Sequence, residues 1–301
     1  MADERARIHD LIVRLAARDA ANGSGAVVDE ALRAFRRHRR GGDPEAVAEL
    51  GELTGWLLFD AERHREARQV NRIALALTDD PSLRWFILSN QALASVHIGL
   101  HREALRIAED PGGRPPRRVQ ALFDVRAARA LAELGARDAA RHRFDRARSA
   151  FLDGPAPRDP NWTWWFDERE LAGHHSLLHA ALGEHDQAIA LLRQAVDEAS
   201  QPWARYIHRA QLLRVCLDAG AHDDAEPVAL DLVPMTGTMS SARTEQILAA
   251  LTPNPSLPST LGDALAVINR RVHQRPDAPP CRPSAGYVPS VRSAQSSSAR
   301  S

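Results

Sequence analysis

The chain has no lysine, little cysteine and no long apolar run. Its two cysteines, Cys216 and Cys281, lie in a helical pattern and in a Pro-rich tail, so neither a disulfide framework nor a cysteine metal site is available. No segment approaches the roughly 18 consecutive apolar residues of a membrane span, and the N-terminus is charged from its third residue. We therefore predict a cytoplasmic protein that is neither secreted nor inserted in a membrane.

Net charge is also absent. The 39 basic residues, all of them arginine, balance 39 acidic residues, so no overall field would hold the chain on nucleic acid or on an anionic membrane. The apolar fraction of 44% in 301 residues is too high for a disordered chain and sufficient for a core. The lack of lysine, together with abundant alanine, is typical of a genome with GC-rich codons.

What the chain does contain is helical periodicity. From Glu4 to Leu251 apolar residues recur at helical spacing, and continuous strand patterns are absent. We therefore predict an all-α fold. Proline and glycine interrupt the pattern and predict short connections between helices, at 41–42, 80–81, 111–116, 154–160, 201–202 and 253–258.

An internal repeat organises these helices. The tetrapeptide HREA occurs at 64–67 and again at 101–104, and three related turns follow. The aligned alanines of the five units are separated by 37, 36, 48 and 37 residues: Ala67, Ala104, Ala140, Ala188 and Ala225. The long interval contains a Pro-rich insertion at 153–161. Such a period predicts about five similar helix pairs.

Each unit is predicted to be a helix hairpin. A glycine five residues before the aligned alanine would end the first helix in a left-handed cap, and the small alanine would let the second helix pack closely. Glycine holds that position at Gly99, Gly135, Gly183 and Gly220, whereas the first unit has Glu62. We therefore expect the first turn to be built differently from the other four.

This register resembles the tetratricopeptide repeat. In that family a small residue also precedes the turn glycine by seven positions, and the chain has Gly55, Ala92, Ala128 and Ser176 there, with Leu213 as the departure. The signature Trp, Leu and Tyr of the family are mostly missing, so these are divergent repeats. The resemblance implies a right-handed superhelix of about five antiparallel helix pairs over residues 44–251.

Outside the repeats the chain divides into three segments. Residues 1–43 carry two helical patterns but not the glycine spacing and polar recognition helix of a helix-turn-helix. Residues 252–273 contain a linker and a pattern that predicts a capping helix from Leu261 to Val272. The tail over 274–301 is rich in Pro and Ser, and we predict that it is disordered.

A second resemblance covers more of the chain. The runs ELTGWLLFDAERHREA (52–67) and DPNWTWWFDERELAGH (159–174) are similar to the helical C-terminal region of actinobacterial helix-turn-helix regulators of the XRE type. In those proteins a small DNA-binding domain normally precedes the helices, and we find no such domain here. The resemblance implies a regulatory interaction or sensor module, linked to transcription, that binds a peptide or protein partner.

The alternative is a DNA-binding regulator in its own right, or a product whose helix-turn-helix is encoded upstream of Met1. The one basic cluster that could carry DNA binding is RAFRRHRRGG at 33–42. Its simpler interpretation is a solvated helix end whose arginines suit the C-terminal dipole.

The richest group of functional side chains lies at 162–179. His175 and His179 stand one helical turn apart, but Ser176 lies where a zinc peptidase needs glutamate. In the repeat register both histidines fall inside the hairpin, so we predict buried histidines with polar partners rather than a metal site. The tryptophans at 162–165 follow a loop and are predicted to anchor it, although a stacking platform for a flat ligand stays open.

Catalytic motifs are missing. The chain has no phosphate-cradling glycine loop, no dinucleotide motif and no nucleophile elbow, and we predict neither an enzyme nor a cofactor.

The predicted binding surface is the concave face of the superhelix, lined by the first helix of each pair. The groove positions implied by the tetratricopeptide resemblance are Trp56, Asp60, His97, Arg129, Glu133, Arg214 and Asp218. They combine charges of both signs with one aromatic ring, which suits a peptide held by charge-assisted hydrogen bonds. The sequence leaves open the identity of the partner, the oligomeric state, and whether the chain's own N-terminal helices or tail fill the groove.

Overall fold

A computed structural model describes residues 2–254 and 256–274, with side chains from residue 4 onward. Over these residues the chain is all α-helical and forms no strand, which confirms the predicted fold class. Its helices are α1 (Ala2–Asn22), α2 (Val28–His38), α3 (Pro44–Asp60), α4 (His64–Leu77), α5 (Pro81–His97), α6 (His101–Glu109), α7 (Arg117–Glu133), α8 (Arg137–Leu152), α9 (Glu168–Ala181), α10 (His185–Asp197), α11 (Pro202–Asp218), α12 (His222–Leu232), α13 (Ala242–Ala249) and α14 (Ser259–His273). Two 3₁₀ helices cover Ser24–Ala26 and Asn161–Trp165.

Local sequence decides where several helices begin. Asp43 and Asp80 each accept a backbone N–H of the first helical turn, and each is followed by proline at the first helical position. Ser241 caps α13 in the same way, by accepting the N–H of Thr244 at 3.3 Å. Every proline and glycine break predicted from the sequence falls at a helix boundary or between helices.

The turn inside each repeat unit is left-handed. Gly99, Gly135, Gly183 and Gly220 have φ angles of 79°, 77°, 75° and 70°. Glu62 has a φ of 58° at the equivalent position, and no other non-glycine residue in the described part of the chain has a positive φ. An L-residue in this conformation costs about 1–2 kcal/mol.

The expectation of a differently built first turn is therefore wrong. In all five turns the residue after the left-handed position donates its N–H to the carbonyl five residues earlier, at 2.8–2.9 Å. In the first turn this bond joins Arg63 to Leu58, and in the second it joins Leu100 to Ser95. Glutamate thus adopts the backbone that glycine adopts elsewhere, and its side chain must supply an offsetting interaction.

Small residues allow the two helices of a unit to approach. All five aligned alanines are buried. At the preceding small-residue position, a Cβ on Gly55 would lie only 1.9 Å from Asn71 Oδ1. Leu213, the departure at this position, is fully buried as well, so the fifth unit accommodates a larger side chain there. The aligned positions of the sequence repeat are therefore the positions at which the two helices of each unit pack against each other.

Neighbouring helices contact one another in pairs. The pairs are α3 with α4, α5 with α6, α7 with α8, α9 with α10, and α11 with α12. The first helices also contact in series, from α3 to α5, α7 and α9. In addition, α1 and α13 each pack against both α3 and α11, so the first and fifth pairs lie close together.

The N-terminal helices share the core of the first pair. Ile8 and Leu15 of α1 and Phe35 of α2 are almost fully buried in one cluster with Leu50 and Leu57 of α3. Burying a side chain of this kind contributes about 1.5–3 kcal/mol. Removal of α1 would therefore expose the apolar face of α3.

The C-terminal helix α14 packs against α12 and α13, the position expected for a capping helix. The predicted disordered tail lies outside the described residues apart from Gln274. Among the helices described, none is long and apolar enough to cross a bilayer.

Candidate functional site

The carboxylate of Asp60 is fully buried where four segments meet. It accepts hydrogen bonds from Ser24 Oγ at 2.8 Å, Ser241 Oγ at 3.0 Å and Arg243 Nε at 3.0 Å, and Trp203 Nε1 lies 3.4 Å from it. A buried carboxylate is tolerated only when such partners replace water. Asp60, predicted as a groove residue, thus joins the first and fifth pairs and has no surface left for a partner.

The guanidinium of Arg243 sits in an aromatic cage beside Asp60. It lies 4.8 Å from the ring centre of Phe59, 5.5 Å from that of Trp56 and 5.6 Å from that of Trp203. The two indole rings meet edge-on, with centroids 5.6 Å apart. Trp56, another predicted groove residue, is therefore half-buried in the contact between α3 and α11.

Two carboxyl groups on α1 and α3 have pKa values raised toward or above neutrality. Burial, reinforced by the nearby charge of Asp60, raises the pKa of Asp19 on α1 to about 7. Burial also raises the pKa of Glu52 on α3 to about 8, although Glu52 accepts a hydrogen bond from Asn90 Nδ2 at 2.8 Å. At neutral pH these two groups are therefore protonated to a large extent and carry less than one full negative charge each.

Arg129 and Arg214, on α7 and α11, are half-buried and lie within each other's electrostatic field. Burial lowers the pKa of Arg129 to about 10 against the attraction of Glu133, and the positive charges of Arg214 and Arg243 lower it further. Within residues 4–254 and 256–274, neither guanidinium has a carboxylate oxygen within 4.0 Å. The Nε of Arg214 is moreover buried with no hydrogen-bond partner. Arg129 Nη1 lies 3.4 Å from His174 Nδ1, but among the described residues neither cation is in direct contact with a carboxylate.

The other predicted groove residues on these helices, Glu133 and Asp218, are exposed at the last residues of α7 and α11. Burial raises the pKa of Asp218 despite the opposing effect of Arg214. These two carboxylates border the pair of cations.

A deeper polar cluster adjoins Arg129. Arg126 is 1% exposed and contacts His174 Nε2, while Glu170 Oε1 lies 3.1 Å from the same nitrogen. Burial, and next the charge of Arg126, lowers the pKa of His174 to about 3. Burial alone would raise the pKa of Glu170, but the contacts with His174 and the charges around it bring that pKa below its usual range. Glu170 is the anion that balances Arg126 inside the array.

His97, another predicted groove residue, lies in a cluster with Glu62 and His64. The two oxygens of Glu62 are each 2.7 Å from an imidazole Nε2, Oε1 from His97 and Oε2 from His64. Burial acts to raise the pKa of Glu62, but the hydrogen bonds from both histidines outweigh it and lower that pKa to about 2. Burial lowers the pKa of His97 although Glu62 opposes this. These three side chains supply one carboxylate and two imidazoles within 4.8 Å of one another.

A cleft of about 230 Å³ opens beside this cluster. Its lining includes Trp56 and Phe59 of α3, His64 and Asn71 of α4, and Asn90 of α5. The cleft gives a small solute or water access to the side of His64.

The tryptophan loop anchors the insertion, as predicted. Trp162 stacks on Phe86 of α5 with ring centres 4.5 Å apart and planes 4° apart, and its Nε1 donates to Ser82 Oγ at 3.0 Å. Trp165 also packs near Phe86, at 6.1 Å, whereas Trp164 remains 72% exposed. Two of the three rings therefore hold the loop against the second pair.

His175 and His179 are half-buried in the fourth unit. Their Nε2 atoms lie 3.0 Å apart, His179 Nδ1 lies 2.6 Å from Glu184 Oε2, and His175 stacks on Phe144 at 4.1 Å. Burial, with the charge of His179, lowers the pKa of His175 to about 4. The two histidines therefore have the predicted polar partners, but they are half-buried rather than fully buried.

Sequence reasoning missed Arg126 and Arg243, and it included Glu170 and His174 in the group at 162–179 without assigning them to the cluster with Arg126. Arg126 stands three residues before Arg129 on one helix face, which is a signal that could have drawn attention to it. Arg243 lies beyond the last repeat and has no local signal. In comparisons with known proteins, the chain matches no family model and no curated protein sequence.

Proposed function

We propose that the chain is a non-enzymatic regulatory module that binds an acidic segment of a peptide or protein on the inner face of its helix array. The observation that carries the proposal is the pair Arg129 and Arg214, two half-buried cations without carboxylate partners among the described residues. A buried guanidinium nitrogen without a partner, such as Nε of Arg214, is costly unless a ligand or water satisfies it. A carboxylate placed between the two arginines would satisfy both.

The array itself is proposed to be a tetratricopeptide-like right-handed superhelix of about five antiparallel pairs. The five equivalent left-handed turns and the buried alanines support this arrangement. In such an array the first helices α3, α5, α7, α9 and α11 line one face, so Arg129 and Arg214 belong to the same surface.

The binding surface is narrower than the one inferred from sequence. The region of Trp56 and Asp60 is occupied by the chain's own α1 and α13, which pack there against α3 and α11. The proposed surface therefore consists of Arg129 and Arg214, bordered by Glu133 and Asp218. Acidic groups at its rim would orient a ligand whose own carboxylate lies in the centre.

The link to transcription rests on the resemblance to XRE-type regulators. When such a module binds its peptide, its own contacts with a regulator would change, and the regulator would respond. We also propose that the protein acts in the cytoplasm.

The test compares the full chain with the double variant Arg129→Ala/Arg214→Ala on an array of acidic, neutral and basic peptides. We expect the wild type to retain acidic peptides and the variant to lose at least tenfold in affinity, because each charge-assisted bond to a carboxylate is worth about 1.5–3 kcal/mol. The matched control is Arg65→Ala/Arg102→Ala, which removes two exposed arginines from equivalent positions of α4 and α6. Equal binding by both double variants would refute the groove.

DNA binding by the N-terminal helices is the second candidate. The observation that favours it is the exposed run of arginines at the end of α2, Arg33, Arg36, Arg37, Arg39 and Arg40. Arg36 already pairs with Glu66 at 3.1 Å, which weakens the patch. Retention of duplex DNA at low salt by the wild type, lost when Arg33, Arg37 and Arg40 become Ala, would support this candidate. An absence of any gel shift would remove it.

A further inference from the structure

The first repeat turn carries a glutamate where the other four carry glycine. Glu62 holds a left-handed conformation with a φ of 58°, which an L-residue rarely adopts. Residues kept in such a conformation occur preferentially at binding and active sites, where the side chain is needed. Glycine would adopt this backbone without strain, so the use of glutamate indicates that its side chain has a role.

The side chain of Glu62 meets two imidazoles. From the structure we infer that Glu62, His64 and His97 form a binding site for a divalent transition-metal ion of the Zn²⁺ class. Nitrogen and oxygen donors come together from three places: the turn itself, the first residue of α4 and the last residue of α5. The inference is independent of the peptide-binding surface, because none of these side chains belongs to the Arg129 and Arg214 pair.

The spacing of the donor atoms fits such an ion. Both Nε2 atoms lie 2.7 Å from a carboxylate oxygen of Glu62, and the three donors lie within 4.8 Å of one another. A tetrahedral ion with ligands at 2.0–2.2 Å separates its donors by roughly 3.4 Å. Small side-chain rotations would therefore bring the donors onto one ion.

The type of donor selects the class of metal. Two imidazoles and one carboxylate suit Zn²⁺, Co²⁺ or Ni²⁺, whereas Ca²⁺ and Mg²⁺ prefer oxygen ligands alone. The side chains of His64 and His97 are 23% and 26% exposed, and the cleft beside His64 reaches the cluster, so an ion and a bound water can enter. The protein supplies three ligands, and a water would complete the coordination.

Two surrounding groups set the expected affinity. The Nδ1 of His64 is buried without a hydrogen-bond partner, and the loss of such an outer partner typically weakens a metal site 10- to 100-fold. Arg243 places a positive charge near His97, but this charge is paired with Asp60 at 3.0 Å. We therefore expect binding about 10- to 100-fold weaker than at a fully supported site.

The chain offers an informative variant and a matched control. Glu62→Gly removes a ligand while restoring the residue used in the other four turns, so the turn should still form. His101→Gln changes the histidine equivalent to His64 in the second unit, where the turn residue is Gly99. A second control, His179→Gln, disrupts the pair of His175 and His179 on α9, where two imidazoles also lie close together.

The experiment titrates the metal-free full chain with Zn²⁺ by calorimetry and with Co²⁺ by visible absorption. One ion should bind the wild type, and Glu62→Gly and His97→Gln should each weaken binding at least 50-fold with an unchanged far-UV spectrum. His101→Gln and His179→Gln should bind as the wild type does. The site would be overturned by a wild type that takes up no ion below 1 mM, by a Glu62→Gly protein that binds equally well, or by a loss of binding in His179→Gln.

Discussion

The carboxylate of Asp60 accepts a hydrogen bond from Arg243 Nε at 3.0 Å, although 183 positions separate the two residues in the chain. The bond joins the end of α3 to α13, next to the contact between Trp56 and Trp203. Because α3 belongs to the first pair and α13 packs against both α3 and α11, this ion pair lies where the first and fifth pairs come together.

The first prediction concerns this ion pair. Asp60→Asn should lower the free energy of unfolding by about 3 kcal/mol, because it leaves a buried guanidinium without its anion. Arg243→Met should have a similar effect, and the double variant should lose less than the sum of the two. Urea denaturation measures all three, with the exposed Asp10→Asn as a control that changes stability by less than about 0.5 kcal/mol.

The second prediction separates backbone strain from side-chain contacts at the first turn. Glu62→Ala and Glu62→Gly both remove the carboxylate in metal-free protein, but only glycine relieves the left-handed conformation. The glycine variant should therefore be about 1–2 kcal/mol more stable than the alanine variant.

The matched substitution is Gly135→Ala, where a Cβ would meet no atom within 4 Å. It should cost a similar 1–2 kcal/mol, since only backbone strain is added. Thermal denaturation of the three variants checks both numbers, and a stable Gly135→Ala protein would contradict the strain argument.

The third prediction is a dependence of stability on pH. Glu52 has a pKa raised from 4.5 to about 8, so between these values the folded state holds a proton that the unfolded state releases. The contribution is fully present below pH 4.5 and is lost as the pH rises through 8. Stability should therefore fall from pH 5 to pH 9.

Glu52→Gln should flatten this decline, because glutamine keeps the polar contact with Asn90 without a titrating group. Denaturant titrations at pH 5, 7 and 9 make the comparison. Asp19, whose pKa is raised to about 7, acts in the same direction, so some decline should remain in the variant.

The fourth prediction tests the anchor of the inserted loop. Trp162→Ala should destabilise the protein by about 2 kcal/mol, less than a fully buried tryptophan would, because the ring is half-buried on Phe86. Trp164→Ala, which removes a ring that is 72% exposed, should change stability by less than about 0.5 kcal/mol. Similar losses from both variants would mean that Trp164 has an additional partner.

The polar interior was only partly accessible to sequence reasoning. The tetratricopeptide resemblance assigned Arg129 and Arg214 to groove positions on the first helices of their pairs. It also assigned Asp60 and Trp56 to an open groove, where the structure has a buried junction. The difference arises from α1 and α13, which belong to no repeat and whose docking site no periodicity describes.

The sequence by itself determined the features that depend on short separations. Helical spacing, the proline and glycine breaks, the aspartate caps at Asp43 and Asp80, and the alanine register all act within a few residues, where backbone geometry and side-chain size are decisive. The turn at Glu62 is also local: the hydrogen bond from Arg63 N–H to the Leu58 carbonyl closes it in the same way as in the four glycine turns.

Only the tertiary structure decided which distant groups meet. Asp60 meets Arg243 across 183 positions and Glu62 meets His97 across 35, so both contacts depend on how whole helices pack rather than on local spacing. Helix packing also brings Arg129 within the field of Arg214. The sequence pattern sets each hairpin, whereas the packing of whole helices against one another sets the junction, the proximity of Arg129 and Arg214, and the cluster of Glu62 with its two histidines.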